Sequence, residues 1–113
     1  MSKNYLSKDD ELRRGDYLMS NNGQWKAIFQ DDGNFVLYGW KPVWDTKTNE
    51  SDSFRLCMQA DSNLVMYNEA GTPKWDTKTF TNEKNVCRLQ VTDDGQLVLY
   101  RGAKGIWKAP RRP

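Results

Sequence analysis

The chain has 113 residues, with 17 basic and 15 acidic side chains, two cysteines and no histidine. This length suits one domain, residues 1–113, and is too short for a cofactor-binding domain joined to a substrate domain. Basic residues are scattered apart from Arg13-Arg14 and Arg111-Arg112. A broad phosphate-binding face is therefore not predicted, and nucleic acid is not an expected partner.

The N-terminal segment gives no sign of export or membrane insertion. Residues 1–20 carry Asp9, Asp10 and Glu11 and no apolar run, so a secretory signal peptide is not predicted. No stretch of the chain is long and apolar enough to span a bilayer. From its residues alone, the protein is cytoplasmic, leaves the cell by an unconventional route, or has had a leader removed.

Apolar residues alternate along the chain instead of recurring at helical spacing, which indicates an all-β fold. Short strands are predicted at residues 4–7 and 17–20, on either side of a polar stretch at 8–16. Asn22-Gly23 then marks a hairpin turn, because both residues tolerate positive φ.

The next hairpin contains a polar motif that occurs again in the chain. A turn at Asp32-Gly33 separates an incoming strand, which ends at Gln30, from an outgoing strand at residues 34–40. Side chains two apart share a face of a strand, so the motif should point into one shallow groove. Its residues are Gln30, Asp32, Asn34, Val36 and Tyr38. The second copy consists of Gln59, Asp61, Asn63, Val65 and Tyr67.

Each motif is followed by a closing segment that contains a tryptophan, at Trp44, Trp75 and Trp107. The three repeats that result are residues 12–48, 49–79 and 80–109. A sheet of about thirty residues cannot bury its apolar face alone. Three antiparallel sheets of three or four strands are therefore predicted to pack with pseudo-threefold symmetry around a tryptophan-rich core, as a three-sided prism.

The two cysteines, Cys57 and Cys87, are too few for a disulfide-rich scaffold, and without histidine they form no recognisable zinc site. They either pair across neighbouring repeats or are reduced thiols in the core, and the second alternative is favoured. No metal ion or other cofactor is expected.

The chemistry of the motif suits a sugar ring. Each hydroxyl group of a hexose both donates and accepts hydrogen bonds, and the ring exposes some C–H groups. An amide donates and accepts, a carboxylate accepts, a phenol does both, and valine offers a small apolar surface. Each such bond contributes only about 1 kcal/mol, so a single open site is expected to bind weakly, and several sites on one rigid body would add avidity.

The doubled Q-x-D-x-N-x-V-x-Y motif and the tryptophan-containing segments resemble the bulb-type (snowdrop-type) mannose-binding lectins, including their lily-type relatives in fish skin mucus. The resemblance covers about residues 4–108. It implies a β-prism II fold and metal-independent binding of mannose or mannose-rich glycans and glycoproteins. It also implies a role in innate defence and a secreted or mucosal location.

Carried over residue by residue, the resemblance implies that Asp32 and Asn34 hold the 2-hydroxyl of the sugar. Gln30 would bind the 3-hydroxyl, Tyr38 the 4-hydroxyl, and Val36 would lie against the ring carbons. In the second set, Asp61 and Asn63 would hold the 2-hydroxyl and Gln59 the 3-hydroxyl. Tyr67 would bind the 4-hydroxyl, and Val65 would lie against the ring carbons.

The chain also departs from the family pattern. The third motif, residues 92–100, has Thr92 in place of the first glutamine, although Gln90 could serve if the turn at residues 91–95 were widened by two residues. A weak or degenerate third site is expected, formed by Gln90, Asp94, Gln96, Val98 and Tyr100. Gly33 occupies a turn position where plant members have a disulfide-bonded cysteine. The short C-terminal tail replaces a strand that plant subunits exchange, which leaves a homodimer open.

Other interpretations of the same residues are weaker. Asp31, Asp32 and Asn34 lack the spacing and closing glutamate of a calcium loop. An enzyme is not expected, because no nucleophile lies beside a base and the carboxylates recur once per repeat. The main alternative is a prism that binds a protein or a membrane surface without sugar specificity. Trp40, which has no counterpart in the other repeats, could then be an exposed contact residue.

Overall fold

A computed structural model describes residues 3–83 and 86–110. Twelve strands form within these residues. They are β1 (Tyr5–Ser7), β2 (Glu11–Arg13), β3 (Tyr17–Met19), β4 (Lys26–Phe29), β5 (Phe35–Tyr38), β6 (Pro42–Asp45), β7 (Ser53–Met58), β8 (Leu64–Asn68), β9 (Pro73–Asp76), β10 (Cys87–Val91), β11 (Leu97–Arg101) and β12 (Lys104–Ala109). The part of the chain described contains no helix that is long and apolar enough to cross a membrane.

The strands form three antiparallel sheets of four strands each. Their orders are β3-β4-β5-β6, β2-β7-β8-β9 and β1-β10-β11-β12. The predicted all-β fold of three antiparallel sheets is therefore confirmed. In each sheet three strands follow one another in the chain, and the fourth comes from the N-terminal segment.

The three N-terminal strands each complete a different sheet. Leu6 of β1 is paired with Leu89, Leu12 of β2 with Leu56, and Leu18 of β3 with Ala27. The three leucines are buried. The prediction that residues 8–16 form a polar connection is thus wrong at β2, because one buried leucine between two charged residues gives too short an alternation to recognise.

The turn of each motif has the same geometry. In repeat one, Gly33 N–H donates to the carbonyl of Gln30 at 3.0 Å and has φ of 86°, which confirms the turn predicted at Asp32-Gly33. In repeat three, Gly95 N–H donates to the Thr92 carbonyl at 3.1 Å. The turn widened by two residues is therefore wrong, and Gln90 is instead paired with Val98 within β10 and β11.

The inner faces of the sheets meet in one apolar core. Its largest fully buried side chains include Phe29, Phe35 and Met58. Trp44, Trp75 and Trp107 are partly buried and pack against this core. Their ring centroids are 5.6, 6.0 and 6.1 Å apart in edge-to-face contacts, an arrangement that the electrostatics of aromatic rings favour. The equivalent tryptophans therefore share one axis, as their matched spacing predicts.

Both cysteines are unpaired, as favoured from the sequence. Cys87 is buried and Cys57 is half-buried. Burial raises the pKa of both thiols above the ordinary value for cysteine. Since the thiolate is the reactive form, neither thiol is activated as a nucleophile.

Candidate functional site

The motif of repeat one lies on the outer face of the β3-β4-β5-β6 sheet. Gln30 follows β4, Asn34 precedes β5, and Val36 and Tyr38 belong to β5. These four line an open groove of about 570 Å³, whose remaining walls are Pro42, Val43, Trp44, Asp45 and Lys47. Asp32 is exposed in the turn and is not among the residues that line the groove. The structure thus brings four of the five side chains to one groove. The fifth, Asp32, lies in the turn at the end of the hairpin.

Asn34 is almost fully buried, and its side chain takes part in four hydrogen bonds, the longest of which, at 3.5 Å, is accepted from Thr48 Oγ1. Its Oδ1 accepts from Thr46 Oγ1 at 3.0 Å and from Thr48 N–H at 3.1 Å. Its Nδ2 donates to Asp45 Oδ2 at 2.8 Å. The amide group keeps one N–H that can donate to a ligand, so in this arrangement Asn34 is a fixed donor.

Asp32 and Asn34 are also coupled through the backbone. Asp32 Oδ1 accepts from Asn34 N–H at 3.0 Å, which is the Asx-turn geometry that favours aspartate here. The other carboxylate oxygen can accept from a hydroxyl group. A carboxylate acceptor and an amide donor at one end of the motif are the pair that one sugar hydroxyl requires.

At the other end of the motif, Gln30 Nε2 donates to the Tyr38 hydroxyl. This bond leaves Gln30 Oε1 as an acceptor and the Tyr38 O–H as a donor. Val36, between the two ends and 4% exposed, contributes the apolar surface. Hydrogen-bonding groups therefore remain available at both ends of an apolar strip.

Repeat two reproduces these contacts atom by atom. Gln59 donates to Tyr67, Asp61 accepts from Asn63 N–H at 3.0 Å, and Asn63 Nδ2 donates to Asp76 Oδ2 at 2.9 Å. The surroundings differ, however. Here a depression of about 500 Å³ on the side toward β2 contains three motif residues, Gln59, Asp61 and Tyr67. It is completed by Asp9, Asp10, Glu11, Arg55, Cys57, Met58 and Ala60.

The supporting residues of the closing segments were not identified from the sequence. Asp45 and Thr46 hold Asn34, and Asp76 and Thr77 hold Asn63 in the same way. A signal was present, because the sequence Trp-Asp-Thr-Lys-Thr occurs in both repeats. Its recurrence identified the tryptophans as equivalent, but not the roles of the aspartate and threonine that follow them.

Repeat three lacks most of these contacts. Gln96 Nε2 donates to the carbonyl of Pro110 at 3.1 Å, and Gln90 Oε1 accepts from Arg88 Nε at 3.0 Å. Thr92 Oγ1 donates to Asp94. Three of the five predicted residues line a groove of about 550 Å³, together with Gly105, Ile106, Trp107 and Lys108; they are Gln96, Val98 and Tyr100. Gln90 and Asp94 are not among its lining residues.

Charge is distributed unevenly around the sites. Beside the depression of repeat two, a hydrogen bond from Arg13 and the nearby Arg55 hold the pKa of Glu11 below its ordinary value.

Among residues 3–83 and 86–110, no group of three or more His, Cys, Asp or Glu side chains could hold a metal ion. Metal independence remains a prediction.

Several known proteins are similar to this chain. The B-type lectin plumieribetin of Scorpaena plumieri is 56% identical over 108 residues, which are 96% of each chain. The mannose-specific lectin of Galanthus nivalis is 44% identical over 70 residues, 60% of this chain and 43% of that protein. The solved snowdrop agglutinin in complex with methyl-α-D-mannoside has a TM-score of 0.78 and 32% identity, with 98% of this chain and 99% of that chain covered. No protein-family model matches.

Proposed function

The chain belongs to the bulb-type lectin family, and on this basis we propose that it binds mannose and mannose-rich glycans through repeats one and two. The family is a non-enzymatic class with a β-prism II fold. The observation that carries the proposal is the duplicated arrangement of Gln, Asp, Asn and Tyr, identical in its internal hydrogen bonds on two different sheets.

The proposed contacts follow from the groups that the internal bonds leave available. Asp32 would accept from the 2-hydroxyl and Asn34 would donate to it, while Gln30 and Tyr38 would bind the 3- and 4-hydroxyls. Val36 would contact the ring carbons. The mannose-specific names of plant relatives and the mannoside complex of the snowdrop agglutinin support this choice of sugar. Recognition would need no metal, since every contact is made by a protein side chain.

The biological setting is proposed from the family. In defence at a secreted or mucosal surface, the protein would bind glycans through several weak sites instead of one strong site. A millimolar site corresponds to about −4 kcal/mol, and linkage of sites adds roughly two to four orders of magnitude. Self-association into a homodimer would add further sites.

The proposal is tested by Asp32→Asn combined with Asp61→Asn. Asparagine keeps the Oδ1 acceptor that each turn needs, but replaces the second carboxylate oxygen with an N–H donor. The double variant is expected to elute from a mannose column in the void volume while its circular dichroism is unchanged. Asp94→Asn, the matched change in repeat three, is expected to leave retention as it is.

The alternative function is binding of a protein or a membrane surface without sugar specificity. The fully exposed indole of Trp40 favours it. Free mannose at millimolar concentration separates the two functions. It should displace the wild-type protein from mannan, and it would leave a protein or membrane complex through Trp40 intact. Retention of the double variant on the mannose column would overturn the assignment of the sites.

A further inference from the structure

The third groove differs from the first two sites in the charge of one position. Asp45 is paired with Val36 across β5 and β6, and Asp76 is paired with Val65 across β8 and β9. At the matched position in repeat three, Lys108 is paired with Val98. Directly paired residues of neighbouring strands point to the same face. The carboxylate that holds the motif asparagine is thus replaced by an ammonium group on the same face.

Within the described ranges 3–83 and 86–110, no carboxylate lines the groove beside the Lys108 ammonium group. The lining residues are Gln96, Val98, Tyr100, Gly105, Ile106, Trp107 and Lys108, none of which is acidic. The structural support has changed too, since Ala109 stands where Thr46 and Thr77 bind the asparagines of the other repeats. Gln96 is held instead by the Pro110 carbonyl. The groove is therefore a differently built site, not simply a damaged copy.

A second cation flanks the same groove. Arg88 is paired with Tyr100 on the opposite side of β11, and its guanidinium lies 4.7 Å from the centroid of the Tyr100 ring. Neither Arg88 nor Lys108 forms an ion pair within residues 3–83 and 86–110. In repeat two, by contrast, the matched Arg55 is 3.6 Å from the carboxylate of Glu11.

The nearest acidic residues in the sequence are engaged away from the groove. Asp93 Oδ1 accepts from Asn22 N–H at 3.0 Å, in the loop after β3. Asp94 accepts from Thr92 Oγ1 in the turn. Neither lines the groove. The charge of the described residues that line the groove is therefore positive, although the chain as a whole is nearly neutral.

We propose that the third groove binds a pyranose that carries a negatively charged substituent, either a carboxylate or a sulfate or phosphate ester. Lys108 would pair with the charged group, Tyr100 and Gln96 would bind hydroxyls, and Val98 with Ile106 would contact the ring. A charge-assisted hydrogen bond is about twice as strong as a neutral one, which offsets part of the affinity lost with the missing glutamine and asparagine. The proposal does not require that repeats one and two bind mannose.

The experiment is a titration of the 15N-labelled full chain followed by NMR, with the amides of Gly105 and Lys108 as reporters. The probes are methyl glucuronide, glucose 6-sulfate and glucose 6-phosphate, with methyl glucoside as the neutral control and inorganic sulfate and phosphate alone. At least one charged sugar is expected to bind more tightly than methyl glucoside and than the free ions. Its affinity should fall as salt is added, because screening weakens exposed charge pairs.

Substitutions identify the cation responsible. Lys108→Gln is expected to weaken binding of the charged sugar by about tenfold and to leave methyl glucoside unchanged. Lys104→Gln, an exposed cation on the same strand that does not line the groove, is the matched control. If Lys108→Gln weakens both sugars equally, the residue only shapes the groove and the proposal is wrong. Binding of inorganic ions as tight as that of the charged sugars would also overturn it.

The test of charged-sugar binding at the third groove is independent of the test of mannose binding at repeats one and two. The Asp32→Asn and Asp61→Asn double variant should keep the response of Gly105 to the charged sugar, whether or not it binds mannose. Conversely, Thr92→Gln, Gln96→Asn and Lys108→Asp together should abolish that response. A charged sugar that perturbs only residues of repeats one and two would refute the third groove as its site.

Discussion

Asn34 shows how one side chain serves both the fold and the proposed ligand. Its oxygen is fully used by Thr46 and Thr48, and one of its amide hydrogens is used by Asp45. The side chain therefore cannot rotate to exchange its oxygen and nitrogen without breaking these bonds. The direction of its remaining N–H is fixed before any sugar arrives, which reduces the entropy lost on binding.

Thr46→Val tests this support at the residue scale. Valine has a similar shape but loses the buried hydroxyl that contacts Asn34 and the Phe35 N–H. The variant should be destabilised by about 1–3 kcal/mol in urea unfolding and should lose mannose binding at repeat one. Thr77→Val is the equivalent change in repeat two. If Thr46→Val binds two mannose residues as tightly as the wild type, the support is not needed.

The motif residues were predictable individually, and their supporting residues were not. Alternation along one strand is enough to place Asn34, Val36 and Tyr38 on one face. The partners Asp45 and Thr46 come from a neighbouring strand, and their approach depends on a register that no local pattern reveals. A β-bulge between Leu37 and Tyr38 changes that register within β5 and β6.

At the scale of elements, β1 and β3 were predicted correctly at residues 4–7 and 17–20, whereas β2 between them was missed. Each has three residues with one buried leucine, so the alternation covers a single period. The longer strands were predictable, because β7 and β10 carry several alternating apolar residues and β11 a continuous apolar run. The turns were also predictable in repeat one, where Gly33 marks positive φ. In repeat two the same position is Ser62, with φ of 70°, which only comparison with the other repeats identifies.

Strand β2 is also held by charge, and this can be tested by pH. Hydrogen bonding by Arg13, together with Arg55, lowers the pKa of Glu11 in the folded protein. A lowered pKa means that the interaction stabilises the fold above the ordinary pKa of glutamate and is lost as pH falls through the folded-state pKa.

Between about pH 6 and pH 3, the wild type should therefore lose more stability than Glu11→Gln. The measurement is the urea midpoint at each pH, with Glu50→Gln, an exposed residue with no ion pair in the described structure, as control. Equal losses in the wild type and in Glu11→Gln would show that this pair contributes nothing.

At the scale of the whole molecule, the two proposed mannose sites lie on different sheets and face outward from different sides of the prism. The pseudo-threefold packing was predictable, because three tryptophans at matched positions require one shared core. Lys108 stands where the other repeats have an aspartate, and this replacement does not change the spacing of the repeat. The difference in ligand between the third groove and the others therefore becomes visible only when the cross-strand pairing is known.

Two outward sites predict that a single chain can bridge two glycans. The wild type is expected to cross-link mannan-coated beads, with two mannose residues bound per chain in calorimetry. Asp32→Asn alone should bind one mannose residue and fail to cross-link as a monomer. Cross-linking by Asp32→Asn at protein concentrations where sedimentation shows only monomer would contradict this arrangement.

The pairing of the first three strands has a consequence for biosynthesis. Leu6 of β1 is paired with Leu89 of β10, and the first two repeats lie between them in the chain. The ribosome must therefore synthesise both repeats before β1 can pair. Contacts so distant in sequence slow folding. Until the last repeat emerges, β1 has no partner strand, so the β1-β10-β11-β12 sheet forms only after residues 87–109 have been added.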